Sequence, residues 1–160
     1  MAAASHIEDP KIIEELEKLG YTHATIVLLP MMPLVELAWI DGFVSSRERD
    51  LVLAEARNRG IDENTLAYEQ LNSRLDERPS AEFFERNWRA IEAALATMSP
   101  EEREARKKRY VETSEAFAIA SGQHLAWAGW VNAAKRKLLK ATRERLRKTQ
   151  SAMAGTAHAA

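Results

Sequence analysis

The most apolar stretch of this 160-residue chain, residues 25–40, carries two prolines three positions apart, Pro30 and Pro33. The run Ile26, Val27, Leu28, Leu29 is strand-like in composition, but a central strand cannot give up two backbone donors so close together. A helix accepts proline in its first turn, so the pattern predicts a helix kinked or broken near 30–33, with Pro33 opening the second piece. That element is apolar nearly all round, which marks it as the one the others pack against. No segment elsewhere shows the alternating, β-branched pattern of a convincing strand. The expected fold class is all-α, a compact bundle of about seven helices.

Immediately downstream lies a corner. Residues 34–54 read L-V-E-L-A-W-I-D-G-F-V-S-S-R-E-R-D-L-V-L-A, a helix running into Asp41-Gly42 and a second helix opened by Ser45. Gly42 suits the left-handed position that ends a helix. Ser45 with Glu48 three residues on has the spacing of a capping box.

The same punctuation places the other helices. Asp9-Pro10 starts one that stops at Gly20, and Gly60 closes the helix that follows Ser45. Asp62 is the expected cap of the next helix, with Ile61 stapled onto Leu66, and that helix runs to about Asp76. Ser80 opens a helix through Phe83, Phe84, Trp88, Ile91 and Leu95. Ser99-Pro100 with Glu102 opens a long one that reaches Ser121-Gly122. After a partly irregular stretch, a basic helix is expected from Asn132 to about Lys148. One domain over residues 1–150 and a disordered tail over 151–160 complete the expected organisation.

Composition narrows the function classes. Apolar residues make up 46% and charged ones 29%, and the net charge is −1, which fits neither a disordered tail nor a generally cationic nucleic-acid binder. Cysteine is absent, so thiolate metal sites and cysteine catalysis are excluded. The four histidines show no i, i+4 pair, and the six glycines form no phosphate loop. The start of the chain lacks the basic flank and apolar core of a signal peptide, and residues 24–40 are too short and too interrupted for a membrane span. The expectation is a soluble, cytoplasmic protein.

Charge is segregated along the chain. Residues 1–100 hold 10 basic and 18 acidic side chains, while residues 101–160 hold 13 and 6. The two parts are therefore set either to attract each other or to leave a basic surface for an anionic partner.

An internal repeat underlies the pattern. At an offset of 87 positions, residues 44–54 fall on residues 131–141, Gly42 on Gly129 and Phe43 on Trp130. The cap is kept as Ser45 or Asn132, and the apolar pair as Leu51-Val52 or Leu138-Leu139. The carboxylates are not kept: Asp41 falls on Ala128 and Glu48 on Lys135. Two helix–glycine hinge–helix units are expected, of which the first alone carries an acidic pair. That pair serves either local capping or some further purpose.

These residues resemble a known family. L-L-P-x-x-P-L-V-E-L-A-W-I-D-G-F-V-S-S-R-E-R-D-L is similar to the signature of the TerB-like tellurite-resistance domain, in which a helix ending in Ala-Asp-Gly leads into a Ser-x-x-Glu helix start. A-S-G-Q-H-L-A-W-A-G-W-V-N-A-A-K-R-K-L-L looks like that domain's looser second hinge. Together they span about 45 residues. The resemblance implies an all-α domain of bacterial stress responses, linked to tellurite resistance, to metal-ion sensing and to partners at the inner membrane face, with no catalytic activity. The family's acidic hinge positions fall on Asp41 and Glu48, with Glu36 a helical turn earlier. Ile40 replaces its alanine before Asp, Phe43 its glutamate after Gly, and the second hinge lacks acids.

Two binding chemistries follow as expectations. Asp41, Gly42, Val44, Ser45 and Glu48 match the second half of a calcium-binding EF-hand loop, but Leu37 and Trp39 stand where its first carboxylates belong. What remains is a weaker divalent-cation site, calcium foremost, built from Glu36, Asp41 and Glu48. The partner surface is expected at Trp127 and Trp130 and at the basic residues Lys135, Arg136 and Lys137. Its targets are protein partners or an anionic lipid surface, with nucleic acid excluded for want of base-reading features. The rest of that basic helix should dock through a stripe of Leu138, Leu139, Thr142 and Leu146. A non-enzymatic domain acting through protein partners leads, and a divalent-cation sensor is the alternative.

Overall fold

Local side-chain chemistry sets the helix ends. In the computed structural model, which describes residues 8–122 and 128–149 with side chains omitted for 128–132, the order is α1 Pro10–Lys18, a 3-10 helix Ile26–Met31, α2 Met32–Trp39, α3 Ser46–Asn58, α4 Leu66–Asp76, α5 Ala81–Ala96, α6 Pro100–Gly122 and α7 Ala128–Lys148. Among the described residues there is no strand. Asp9 accepts from the Lys11 amide with Pro10 in the first turn, and Ser80 accepts from the Phe83 amide. Ser99 and Glu102 exchange the two bonds of a capping box. Gly20 and Gly60, at φ +91° and +82°, close α1 and α3. In each case the next amide reaches back five residues, Tyr21 to Leu16 and Ile61 to Ala56, the bond that ends a helix on a left-handed glycine.

The proline-bearing stretch behaves as its sequence demands. Pro30 sits in the tight 3-10 turn and Pro33 in the first turn of α2. In α2 the residues Met32, Pro33, Leu34, Val35, Leu37 and Ala38 are all buried. This helix packs against α3, α5, α6 and the 3-10 helix, while α1 lies on α5 and α7 lies along α6. One apolar cluster collects residues from every helix, from Ile12 of α1 to Leu146 of α7. Trp88 and Phe84 are buried in it, and Trp39, partly buried, donates its indole N–H to the Arg74 carbonyl at 2.9 Å.

Two sequence expectations are corrected. The cap of α4 is Thr65, whose hydroxyl accepts from the Tyr68 amide while donating to the Asp62 carbonyl. Asp62 instead begins a preceding turn, and Ile61 is consumed by the end of α3, so it is buried while Leu66 is 64% exposed and no staple forms. The last helix begins at Ala128, not Asn132, so Gly129 and Asn132 lie inside α7. Ala128, Ala133 and Ala134 favour helix strongly enough to carry it through a glycine that no tight corner requires. The second unit of the repeat therefore does not reproduce the first unit's cap. The expected tail over 151–160 lies outside the described residues.

Gly60 isolates the cost of the left-handed turn, because a Cβ there meets nothing within 4 Å. Gly60→Ala is expected to lower stability by about 1 kcal/mol through backbone strain alone. Urea unfolding measures it, and an unchanged midpoint contradicts this account of the turn.

Candidate functional site

The corner between α2 and α3 folds as its sequence reads. Gly42 takes φ +91° and its amide bonds the Trp39 carbonyl at 2.8 Å. Ser45 Oγ accepts from the Glu48 amide at 3.1 Å, and the Glu48 carboxylate takes the Ser45 amide at 3.2 Å and hydroxyl at 2.9 Å, both on Oε1. That leaves the second oxygen, Oε2, for another partner. The partner is the Lys135 ammonium of α7, at 3.3 Å. Lys135 also donates to the Ser121 hydroxyl at the end of α6, at 2.9 Å, and lies 3.8 Å from Asp41 Oδ2. The three charged side chains are nearly closed to solvent, at 3% for Lys135, 6% for Glu48 and 12% for Asp41. Arg47 adds a further tie to α6 by donating to the Ala120 carbonyl at 2.8 Å.

Burial is the main force on Asp41 and pushes its carboxyl above the usual range; the Lys135 ammonium pulls it down and the Glu48 charge pushes it up. A carboxylate pair facing one ammonium is held by charge and hydrogen bonding at once, the arrangement a buried ion needs. Lys135 therefore occupies the place that sequence reasoning gave to a divalent cation. It is also not the surface residue it was expected to be. The stripe that docks α7 explains this: Lys135 precedes Leu138 and Leu139 by three and four positions and Thr142 by seven, so it shares their face. Thr142 and Leu146 are buried, as expected of that stripe, and Arg136 and Lys137 turn outward and are exposed.

Glu36 does not join Asp41 and Glu48. It faces a separate cleft of about 620 Å³ between α2, α5 and α7, whose walls include Ile40, Phe84, Trp88 and Leu138. Burial raises the Glu36 carboxyl above its ordinary range, against the opposing pull of the Trp88 indole and the Arg145 guanidinium. Arg145, also on the wall, bonds Glu85 at 2.9 and 2.5 Å, pairs with Glu92, and lies 5.5 Å from the Trp88 ring centre. Among the described residues no three His, Cys, Asp or Glu side chains converge as a metal ion would need. Of the proposed partner surface, Trp127 lies outside the described residues and Trp130 falls in the first turns of α7, its side chain likewise outside them.

Sequence reasoning missed Ser121, Trp88, Glu85 and Arg145 as members of either constellation. The helical period of α7 held the available signal, because Lys135, Leu138, Thr142 and Arg145 recur at spacings of three and four. Across the halves of the chain, Lys135 and Arg145 meet Asp41, Glu48, Glu85 and Glu92, so the segregated charges do attract each other.

Removing the ammonium alone should be costly. Lys135→Met is expected to lose about 3–5 kcal/mol, because two buried carboxylates are left without a counter-charge. Adding Asp41→Asn and Glu48→Gln should recover most of it, whereas Arg136→Met should stay within about 0.5 kcal/mol of wild type. Equal losses at positions 135 and 136 in urea unfolding contradict the clamp. Glu36→Gln should be more stable than wild type at pH 7–8. Glu36 has a raised folded-state pKa, so wild type gains stability as it protonates, and the gap closes as pH falls towards the unfolded glutamate value of about 4.3. A gap independent of pH contradicts that assignment.

No protein-family model, no curated protein and no solved structure matches this chain.

Proposed function

We propose that the chain is a non-enzymatic, TerB-like stress-response domain of the bacterial cytoplasm that works through protein partners, with the inner face of the membrane as an accessory surface. The observation that carries this reading is the pinned corner. The segment bearing the family-like motif is tied to α7 and to the end of α6, and directly beside Asp41 and Gly42 it shows Phe43, 54% exposed. A large aromatic side chain presented on a corner that does not need to be ordered on binding is well suited to anchor a protein contact. Ile119, 65% exposed on α6, is a second large apolar side chain open to solvent. Arg136 and Lys137 supply cationic charge for an anionic surface. Among the described residues no helix is long and apolar enough to cross a membrane.

The cation-sensor reading is less well supported. A divalent ion would have to displace the Lys135 ammonium from Asp41 and Glu48 and would lack the Glu36 carboxylate, far short of the six to eight oxygens that calcium takes.

Calorimetry separates the two readings. Titration of the intact chain with Ca²⁺, Mg²⁺ and Mn²⁺ should give no saturable heat at millimolar ion, and a saturable heat abolished by Asp41→Ala would establish the sensor instead. Pull-down from the native host with wild type and Phe43→Ala should lose the same retained proteins on substitution, and identical retention removes the corner as the contact. Sedimentation with anionic vesicles should be salt-sensitive and weaken on reversing Arg136 and Lys137. Lys135 is left intact in that test, because its loss would break the clamp rather than report on lipid.

A further inference from the structure

We propose that the cleft between α2, α5 and α7 binds an aliphatic primary ammonium group on a short apolar stem, with Glu36 as counter-ion and Trp88 and Phe84 as the wall for the stem. The cleft, at about 620 Å³, is within the size range of small-ligand sites. Glu36 is the carboxylate in it left unpaired: it makes no ion pair within 4 Å among the described residues, whereas Glu85 is paired with Arg145. An anionic ligand would find little to hold it. Arg145 is already taken by Glu85 and Glu92 and lies over Trp88, so Arg78 on the exposed rim is the remaining cation.

A cationic ligand gains from the carboxylate, and its apolar stem from the Phe84 and Trp88 side chains; the Trp88 ring already carries the Arg145 guanidinium. A primary ammonium fits better than a quaternary one, because it donates three hydrogen bonds and Glu36 can only accept. A metal ion fits worse, since a single uncommitted carboxylate cannot complete its shell. Ile40 and Leu138 shield the stem from water, and a chain of four or five methylenes has the apolar surface to match. Burial, which holds the Glu36 carboxyl above its ordinary range, marks the same group as one that gains from an arriving positive charge. The chemistry is shared by a free alkylamine and by a lysine side chain of another protein. It holds whether or not the corner at Phe43 takes a partner.

The test follows the Trp88 indole resonance by NMR while the intact chain is titrated with n-pentylamine, with N-acetyl-lysine methylamide and with the neutral 1-pentanol. A saturable shift is expected for at least one of the two ammonium probes, with 1-pentanol at least tenfold weaker. Glu36→Gln should weaken ammonium binding at least tenfold and leave 1-pentanol unchanged. The ammonium probe that saturates first names the source, free amine or protein lysine. Affinity should fall as pH is lowered through the Glu36 ionisation; of the other groups facing it, Arg145 and Arg78 stay charged, and Glu85 stays ionised because Arg145 holds its carboxyl below the usual range. No saturable shift with either ammonium probe, or equal binding of 1-pentanol on wild type, overturns the proposal even if Glu36→Gln does not fold.

Discussion

A single buried ammonium ties the end of the chain to its middle. Lys135 reaches Glu48, Asp41 and Ser121, so one side chain joins α7, the α2–α3 corner and the end of α6. Burying such a group is unfavourable unless it is paired and hydrogen-bonded, and here it donates to the Glu48 carboxylate and the Ser121 hydroxyl with the Asp41 carboxylate 3.8 Å away. The pairing also selects a rotation of α7. Turning that helix by one residue, about 100°, would carry Lys135 away from the carboxylates and put another residue in its place. Apolar packing alone distinguishes such rotations weakly, because Leu138 and Leu139 are adjacent and either can face the core. The buried charge removes the ambiguity.

A second pin lies ten residues further on. Arg145 meets Glu85 and Glu92 of α5 about 15 Å along the helix from Lys135, at the α-helical rise per residue. The two cations differ in kind. Lys135 is enclosed, and its pairing is hardly screened by solvent. Arg145 is partly exposed, so its pairs gain less from the low dielectric and weaken with salt. Between them stand Leu138 and Thr142, so α7 is fixed by charge at both ends and by contact in the middle. The acidic first part of the chain and the basic last part are thus complementary in detail as well as in total.

Legibility in the sequence followed the range of the interaction. Caps act over three residues, and Ser45, Ser80 and Ser99 were readable because the cap and its target share one short segment. The α4 start failed on the same principle: Asp62 and Thr65 are both competent caps, and the choice fell to Ile61, committed to closing α3. Pro30 and Pro33 ruled out a strand through covalent constraint alone. The clamp lay beyond this range. The offset of 87 positions that laid Glu48 over Lys135 was visible, yet it read as a substitution between two units rather than as two partners in contact. Sequence periodicity placed Lys135 on the docking stripe, but charge argued for solvent, and only the position of the corner decides between them. Glu36 was grouped with Asp41 by sequence proximity. Glu36 lies inside α2, whereas Asp41 lies past its end in the turn that Gly42 closes, so the corner carries Asp41 towards α7 and the end of α6 while Glu36 stays on the helix.

That separation leaves two carboxylates from adjoining helices, Glu36 of α2 and Glu48 of α3, under opposite conditions. Glu48 is more enclosed, yet each oxygen has a donor, from the Ser45 amide and hydroxyl on one side and from Lys135 on the other. Glu36 is less enclosed but has no cation in contact among the described residues, and burial acts on it as a penalty. A helix as apolar as α2 would be more stable with a neutral side chain at this position, since the surrounding wall offers Ile40, Phe84 and Leu138 to pack against. Carrying an ion there costs stability without completing a cap, a corner or an interhelix pair. Among the described residues the enclosed Lys135, Asp41 and Glu48 answer one another and buried Arg103 bonds the Met98 carbonyl, whereas Glu36 has no opposite charge in contact.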